Sequence, residues 1–262
     1  MNAACAADEA AAAHCFVDAL DTAVTVEGAD GHHLQRVRRL RVGELVTAAD
    51  GDGRWRRYVV ASAEPGRLLL RADSEVACEP EPAPGVSLAV ALTKGAKLET
   101  VVAQLTELGV RRIEPVRARR SVVRWDDDRA AAAVDRLRSV AREAAMQCRR
   151  ARVPDVAPVA DLAALTGRPG LVIASRTGDP AEALAAPPAG EVWTVVVGPE
   201  GGFDPGEVEA LGPAAVIRLS PYVLRAATAP VVAAALLVAR ASPGPDVVSD
   251  ASITQSESPS EA

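Results

Sequence analysis

The sequence predicts an α/β protein: a C-terminal domain built on a mainly parallel sheet, preceded by a small β-barrel-like module. Three observations carry this. From residue 85 onward, apolar strands alternate with amphipathic helices, which is the grammar of a parallel sheet covered by helices. Between 15 and 77, short β-forming runs are separated by the turn signals DGDG (50–53) and EPG (64–66). CEPEPAPG at 78–85 lies between the two patterns, and its prolines forbid a helix and favour an extended linker.

Taken in order, residues 1–14 read as a disordered alanine-rich leader. It carries acids and no basic residue before its alanine run, so it does not read as a signal peptide. The module at 15–77 then offers CFVDAL, TAVTVEG, GELVTAAD, RWRRYVVAS and RLLLRA as strands. One short helix fits at about 30–40, where Leu34, Val37 and Leu40 share a side. After the linker, the domain at 86–241 opens on a buried strand, GVSLAVAL (85–92). A helix over 97–108 follows, with Leu98, Val101, Val102, Leu105 and Leu108 at helical spacing. RRIEPV is a short strand. A second helix covers 127–148 and aligns Val134, Leu137, Ala141, Ala144 and Cys148 on one face. LVIAS (171–175), VWTVVV (192–197) and AVIRL (215–219) are further strands. The last helix, about 228–240, is apolar nearly all round, so the expectation is burial, here against a second copy of the chain. From Ser242 the tail to 262 is polar and acidic without periodicity, which predicts disorder.

Composition narrows the function. Of the 262 residues 49% are hydrophobic but only 3% aromatic, so the cores must be made of Ala, Val and Leu. No run is long enough to span a bilayer, and a cytoplasmic location is the default expectation. Cys5, Cys15, Cys78 and Cys148 are scattered without a CxxC pair, and His14, His32 and His33 do not complete a ligand set. No metal is expected, and the thiols should be free and mostly buried. The net charge of −6 argues against a nucleic-acid partner, but the distribution does not. Arg111, Arg112, Arg117, Arg119, Arg120 and Arg124 face a single acid, Glu114, and Arg149, Arg150 and Arg152 form a second basic group. Such a local patch can steer a polyanion. Lysine occurs only at Lys94 and Lys97, in TKGAK.

Two strand-to-helix turns stand out: VVVGPEGGFDPGEV (195–208) and IRLSPYVLRAATAP (217–230). Asp204, Pro205 and Glu207 spell a helix start with a capping box. That accounts for DPGE but not for GPEGG, where Gly201 and Gly202 would let backbone approach a ligand. Neither turn fits GxGxxG or GxxxxGK[ST], so a Rossmann or phosphate-loop device is not expected.

Five ordered strings, HHLQRVRRLRVGE (32–44), TKGAKLETVVAQLTELGV (93–110), REAAMQCRRARVP (142–154), VVGPEGGF (196–203) and LSPYVLRAATA (219–229), resemble the RsmE family over roughly residues 15–240. That family consists of 16S rRNA uridine-N3 methyltransferases of the SPOUT superfamily. The resemblance implies a PUA-like RNA-binding barrel at 15–77 and a SPOUT domain with a trefoil knot. It implies a homodimer through the knot helices, and 16S rRNA or the assembled small subunit as partner. It also implies S-adenosylmethionine (SAM) held by Val197, Gly198, Pro199, Glu200, Gly201, Gly202, Leu219, Ser220, Pro221, Leu224, Arg225, Thr228 and Ala229. Arg225 is the candidate for stabilising charge on the base. Glu200 is the candidate proton acceptor or cofactor contact. Arg36, Arg38, Lys94, Lys97, Arg119, Arg120, Arg149, Arg150 and Arg152 are candidate RNA contacts, with Trp55, Tyr58, Trp125 and Tyr222 as candidate stacking residues. The chain departs from the family at Ser220, where glycine is usual, and at Ala226 and Ala227, where Thr and a polar residue are usual. A related SPOUT enzyme acting on tRNA ribose and a catalytically silent RNA-binding assembly factor are the alternatives.

Overall fold

The strands sort into two sheets of opposite character. The structure, a computed structural model, describes residues 10–36, 39–81, 83–93, 98–187 and 192–241. The first sheet contains β1 (Ala13–Phe16), β2 (Ala23–Val26), β3 (Leu45–Ala49), β4 (Arg54–Glu64), β5 (Arg67–Ala72) and β6 (Ala77–Cys78), with helix α1 (Gly28–Arg36) between β2 and β3. The strand order is β1-β3-β4-β5-β2, and β6 also pairs with β4. All pairs are antiparallel except β1 with β3. The register of β4 against β5 shifts between Val60 and Ser62, an irregularity of the kind that bends a long strand. Cys15, Val46, Tyr58, Val60, Leu68 and Leu70 fill its core, with Leu34 of α1 closing one side.

The first strand begins earlier than the sequence suggests. Ala13 and His14 lie in β1, inside the stretch expected to be a leader, and both are buried. Parallel pairing with β3 orders them, and His14 Nδ1 bonds Thr47 Oγ1 at 2.8 Å. Residues 1–9 and the tail at 242–262 lie outside the described residues.

The second sheet is wholly parallel. It contains β7 (Gly85–Ala91), β8 (Arg112–Arg117), β9 (Asp155–Val156), β10 (Ala160–Asp161), β11 (Leu171–Pro180), β12 (Val192–Val197) and β13 (Ala215–Arg218). The order is β10-β8-β7-β12-β11-β13, with β9 on β8. β7 and β12 at its centre are almost entirely buried, as expected of strands covered on both faces. One face carries α2 (Leu98–Glu107), α3 (Asp127–Gln147) and α5 (Thr228–Ala241), packed over Val86, Leu88, Val90, Val195 and Val197. The other carries Leu162 and Leu165 of a short 3-10 turn and Leu211 of α4 (Pro205–Leu211), packed on Ala89, Ala91, Ile173 and Val196. No helix among the described residues is long and apolar enough to cross a membrane.

The last helix is not buried all round. Pro230, Ala233, Ala234, Leu237 and Ala241 face the core, while Val231, Val232, Leu236 and Val238 are half-buried and Ala235 and Ala239 are exposed.

The segment joining the sheets is held at both ends. Cys78 lies in β6 and Gly85 opens β7. The Glu79 amide donates to Gly53 O at 2.8 Å, and its carboxylate accepts from the Ala151 amide at 2.6 Å. Gly53 N and Val153 N donate to Ala151 O and Gly51 O at 3.2 and 2.9 Å, so the β3–β4 turn is stitched to the chain beyond α3. Phe16, Ala49, Trp55, Ala145 and Ala151 form a small core between the sheets. Arg142 of α3 pairs with Asp30 at 2.8 Å and lies 5.2 Å from the Phe16 ring centroid.

Candidate active site

A single row of paired residues runs across the carboxyl end of the parallel sheet. Pro115 stands opposite Val90, Val90 opposite Val197, Val197 opposite Ala174, and Ala174 opposite Ile217. Beside this row the chain leaves β12 at Gly198 and β13 at Leu219. In β11 the chain also leaves the ladder: Ala174 and Asp179 both face Ile217, so residues 175–178 loop out and return. Three backbone excursions therefore converge at one place. The carboxyl ends of parallel strands are where α/β folds place ligands.

Local chemistry explains each excursion. In the turn after β12, Gly202 has φ +66°, a left-handed conformation that glycine adopts without strain. A Cβ on Gly198 would lie 3.0 Å from the Phe203 ring, so the turn closes tightly over that side chain. Helix α4 then starts as its sequence specifies. Asp204 caps through Gly206 N at 3.1 Å, Glu207 Oε2 accepts from Asp204 N at 3.0 Å, and Pro205 sits at the first position. The excursion of β11 depends on Gly178, whose Cβ would meet Ile217 C and Val216 O at 2.6 Å. The strand thus runs beyond the expected end at 175, and this third element is absent from the sequence expectation; the glycine in ASRTG is the available signal. The excursion after β13 is shaped by Ser220, whose Oγ accepts from Tyr222 N at 3.1 Å. The residue that departs from the family pattern thus has a local job as a turn former. Ala227, Leu219 and Ala229 pack on the core below.

The expected cofactor residues are brought together on these turns. Val197 and Pro199 are buried, Gly198, Gly202, Leu219, Ser220, Leu224 and Ala229 half-buried, and Glu200, Gly201, Pro221, Arg225 and Thr228 exposed. The amides of Glu200, Gly201 and Leu224 donate to nothing among the described residues, so the turns offer backbone donors to a ligand. The Arg225 carbonyl accepts from Thr228 N and Ala229 N at 2.9 and 3.0 Å, which fixes that residue at the entry to α5 while its side chain stays in solvent. The donors and glycines fit a compact polar cofactor lying against backbone.

The basic residues divide. Arg119 and Arg120, in the loop after β8, are tied to the first turn. Glu207 Oε1 accepts from Arg119 N at 2.7 Å, Arg119 reaches Asp204 at 3.3 Å, and Arg120 donates to Gly201 O at 3.1 Å. Their side chains keep 69% and 48% exposure, so they brace the turn and still face outward. Arg150 and Arg152, expected as RNA contacts, are engaged within the fold. Arg150 donates to Thr106 O and Val110 O at 2.9 Å each, closing the end of α2. Arg152 donates to Asp52 O and Glu79 O and pairs with Glu81 at 3.2 Å, fastening the two sheets. Arg149 sits half-buried at φ 60° just beyond α3. Arg38, Lys94 and Lys97 lie outside the described residues, and Arg36 is described only as the last residue of α1. Among the aromatic candidates, Trp55 and Tyr58 are core; the Tyr58 hydroxyl donates to Asp21 O at 2.9 Å. Trp125 is half-buried and Tyr222 is 80% exposed. Of the described cysteines Cys15 is buried, with burial pushing its thiol up to about 12, Cys148 is half-buried and Cys78 is exposed.

Comparison with known proteins agrees with this arrangement. Residues 79–238 match the model of an RNA methyltransferase domain, and residues 26–73 match that of an RNA methyltransferase PUA domain. Over 232 residues the chain is 37% identical to ribosomal RNA small subunit methyltransferase E of Mycobacterium bovis, covering 83% of this chain and 88% of the relative. The protein of the same name from Bacillus subtilis is 31% identical, covering 80% and 87%. The crystal structure of the Neisseria gonorrhoeae protein of that name, bound to S-adenosyl methionine, superposes with a TM-score of 0.77 at 25% identity, covering 87% of this chain and 97% of that one. With its paired turns, its PUA module and this likeness along most of its length, the chain belongs to the family of small-subunit ribosomal RNA methyltransferases E.

Proposed function

We propose that this protein is an S-adenosylmethionine-dependent methyltransferase acting on N3 of a uridine in 16S rRNA. The observation that carries the reading is the cross-sheet row, which gathers three excursions, two of them with free backbone donors, at one end of a parallel sheet. The turns at 198–202 and 219–225 hold the cofactor, and the 175–178 excursion supplies a third wall. In this reading the segment through 219–241 forms the trefoil knot of SPOUT enzymes.

Bound there, the cofactor supplies a sulfonium-activated methyl group. The protein's task is placement, which can lower such a barrier by about 7–11 kcal/mol when the reacting atoms are held in line. Uracil N3 must also lose its proton. Arg225, exposed and without a side-chain partner among the described residues, holds the negative charge that develops on a uracil oxygen. Of the two carboxylates in the first turn, Asp204 is taken by the helix cap and by Arg119 and Arg120. Glu200 has no partner among the described residues, and we assign it proton acceptance. Arg119 and Arg120, braced beside the turn, grip RNA phosphates.

The apolar outer face of α5, with Val231, Val232, Ala235 and Ala239, supports a homodimer through that helix. Light scattering of the purified protein should give twice the chain mass. The test of function is incubation of the protein and labelled S-adenosylmethionine with small subunits from cells lacking it, then nucleoside mass analysis of the 16S rRNA. The expected product is 3-methyluridine; a ribose-methylated nucleoside, or no product despite cofactor binding, overturns the reading.

A further inference from the structure

A cavity of about 110 Å³ opens at the carboxyl end of β7, on the helical face of the sheet, and none of the expected cofactor residues lines it. Its floor is Val90, the residue that stands opposite Val197 immediately before the first turn. Its edge is Ala226, the neighbour of Arg225 in the turn before α5. The cavity thus borders the second crossover at Ala226 and lies one strand away from the first. Trp125 forms one wall, half-buried just ahead of α3, and Ala133 and Leu137 of α3 form another.

Size decides what can enter. An apolar cavity of about 150 Å³ accepts one benzene ring. A space of about 110 Å³ that opens to solvent is of the order of one six-membered ring seated partly in the mouth, and is too small for a purine or a nucleoside-sized cofactor. The lining is apolar in its depth, while Thr93, Glu99 and Arg136 supply polar groups, the last two ion-paired with each other. A tryptophan face beside a ring-sized slot is the arrangement by which proteins stack an extruded base. The Arg136 guanidinium offers only donors, which suit the carbonyl oxygens of uracil and oppose the amino group of cytosine. Alanine at 226, where the family usually has threonine, leaves the mouth open toward Arg225.

We propose that this cavity seats the extruded pyrimidine ring, with Trp125 as its stacking wall, and so selects a uracil beside the methyl donor. The assignment rests on the methyl-transfer reading above. The test uses the full chain. Ala133→Leu fills the slot from α3 with a good helix former, at a residue that is not on either cofactor turn. Cofactor affinity by calorimetry and retention of small subunits should stay within about twofold of the parent, while the rate of methyl transfer falls about 30-fold or more. Trp125→Phe should keep most of the rate and Trp125→Ala should lose about tenfold, a gentler pair should the leucine disturb folding. Separately, uridine monophosphate added with S-adenosylhomocysteine should quench the fluorescence of the parent protein, with cytidine and adenosine monophosphates far weaker. The quench should vanish in Trp125→Phe, since Trp55 and Trp193 are buried. Near-normal transfer by Ala133→Leu, or no quench by uridine monophosphate, overturns the cavity assignment. A selective quench in a protein that methylates no rRNA would instead uphold the cavity and overturn the reaction.

Discussion

The two ends of the parallel sheet both carry arginine, and they differ in how fully the protein answers it. At the carboxyl end Arg119 and Arg120 are partnered by Asp204 but Arg225 is not. At the amino end a cleft of about 610 Å³ is lined by Arg111, Arg112, Arg150, Arg152 and Arg168. Each of these has a protein partner: Glu81 for Arg111 and Arg152, Glu114 for Arg112 and Arg168, and helix-end carbonyls for Arg150. At the carboxyl end Arg225 has none among the described residues, and the turn amides around it are equally free. Arginine count therefore does not mark the working surface. What marks it is charge and backbone left unanswered by the protein, because such groups are hydrated until a ligand replaces the water.

The sharpest way to break this contrast is Arg225→Ala. Loss of one donor aimed at developing charge commonly costs about 100- to 1,000-fold in turnover. That loss is expected here with the melting temperature unchanged, since the side chain supports nothing in the fold. Stopped-time methyl transfer and a thermal melt on the same preparation decide it; a stability loss without a rate loss would place Arg225 among the structural arginines.

Acid should undo the first module before the parallel sheet. Burial, more than the nearby Arg149 charge, lowers the His14 pKa to about 4 from the ordinary 6.5. The folded module thus keeps a neutral imidazole where the unfolded chain takes up a proton. The stability this provides is complete above about pH 6.5 and is lost as the pH falls toward 4. The full span is about 3 kcal/mol. Denaturant midpoints measured from pH 7.5 to 4 should fall accordingly, and His14→Gln should flatten the lower half of that curve.

Arg150→Ala comes next. It leaves the Val110 carbonyl without its donor, while Thr106 O keeps the Gly109 amide, at a cost of about 2 kcal/mol in unfolding free energy. If Arg150 belongs to the scaffold, the affinity for small subunits should keep the same salt dependence as the parent. A reduced salt dependence of binding would return it to the RNA face.

Most of the architecture was legible because strand and helix periods are local. VWTVVV became β12 at its expected bounds, and α2, α3 and α5 fall within a residue or two of the periodic segments. The capping box in DPGE was equally local and is formed. The failures share a cause. That Ala13 and His14 belong to a strand depends on pairing with β3, some thirty residues away. That Arg150 and Arg152 are fasteners depends on which carbonyls fold back to meet them. The β11 excursion depends on the close approach of β13. No window along the chain contains these facts. For the same reason the two glycine- and proline-rich turns could be named, but the row that gathers them could not.

The smallest expected effect tests the first turn from within. Gly202 has φ +66° with no atom within 4 Å of where a Cβ would stand, so substitution there meets no clash and reports backbone conformation alone. Gly202→Ala should cost about 1 kcal/mol, the penalty for placing an ordinary residue in the left-handed region. Gly202→Asn should cost less, because asparagine tolerates that region. If the turn must keep this shape to hold the cofactor, the two variants should rank in the same order for S-adenosylmethionine affinity by calorimetry as for stability. Equal affinities with unequal stabilities would mean that the carboxyl end tolerates a reshaped turn, and that the ligand is read by the second turn and the β11 excursion instead.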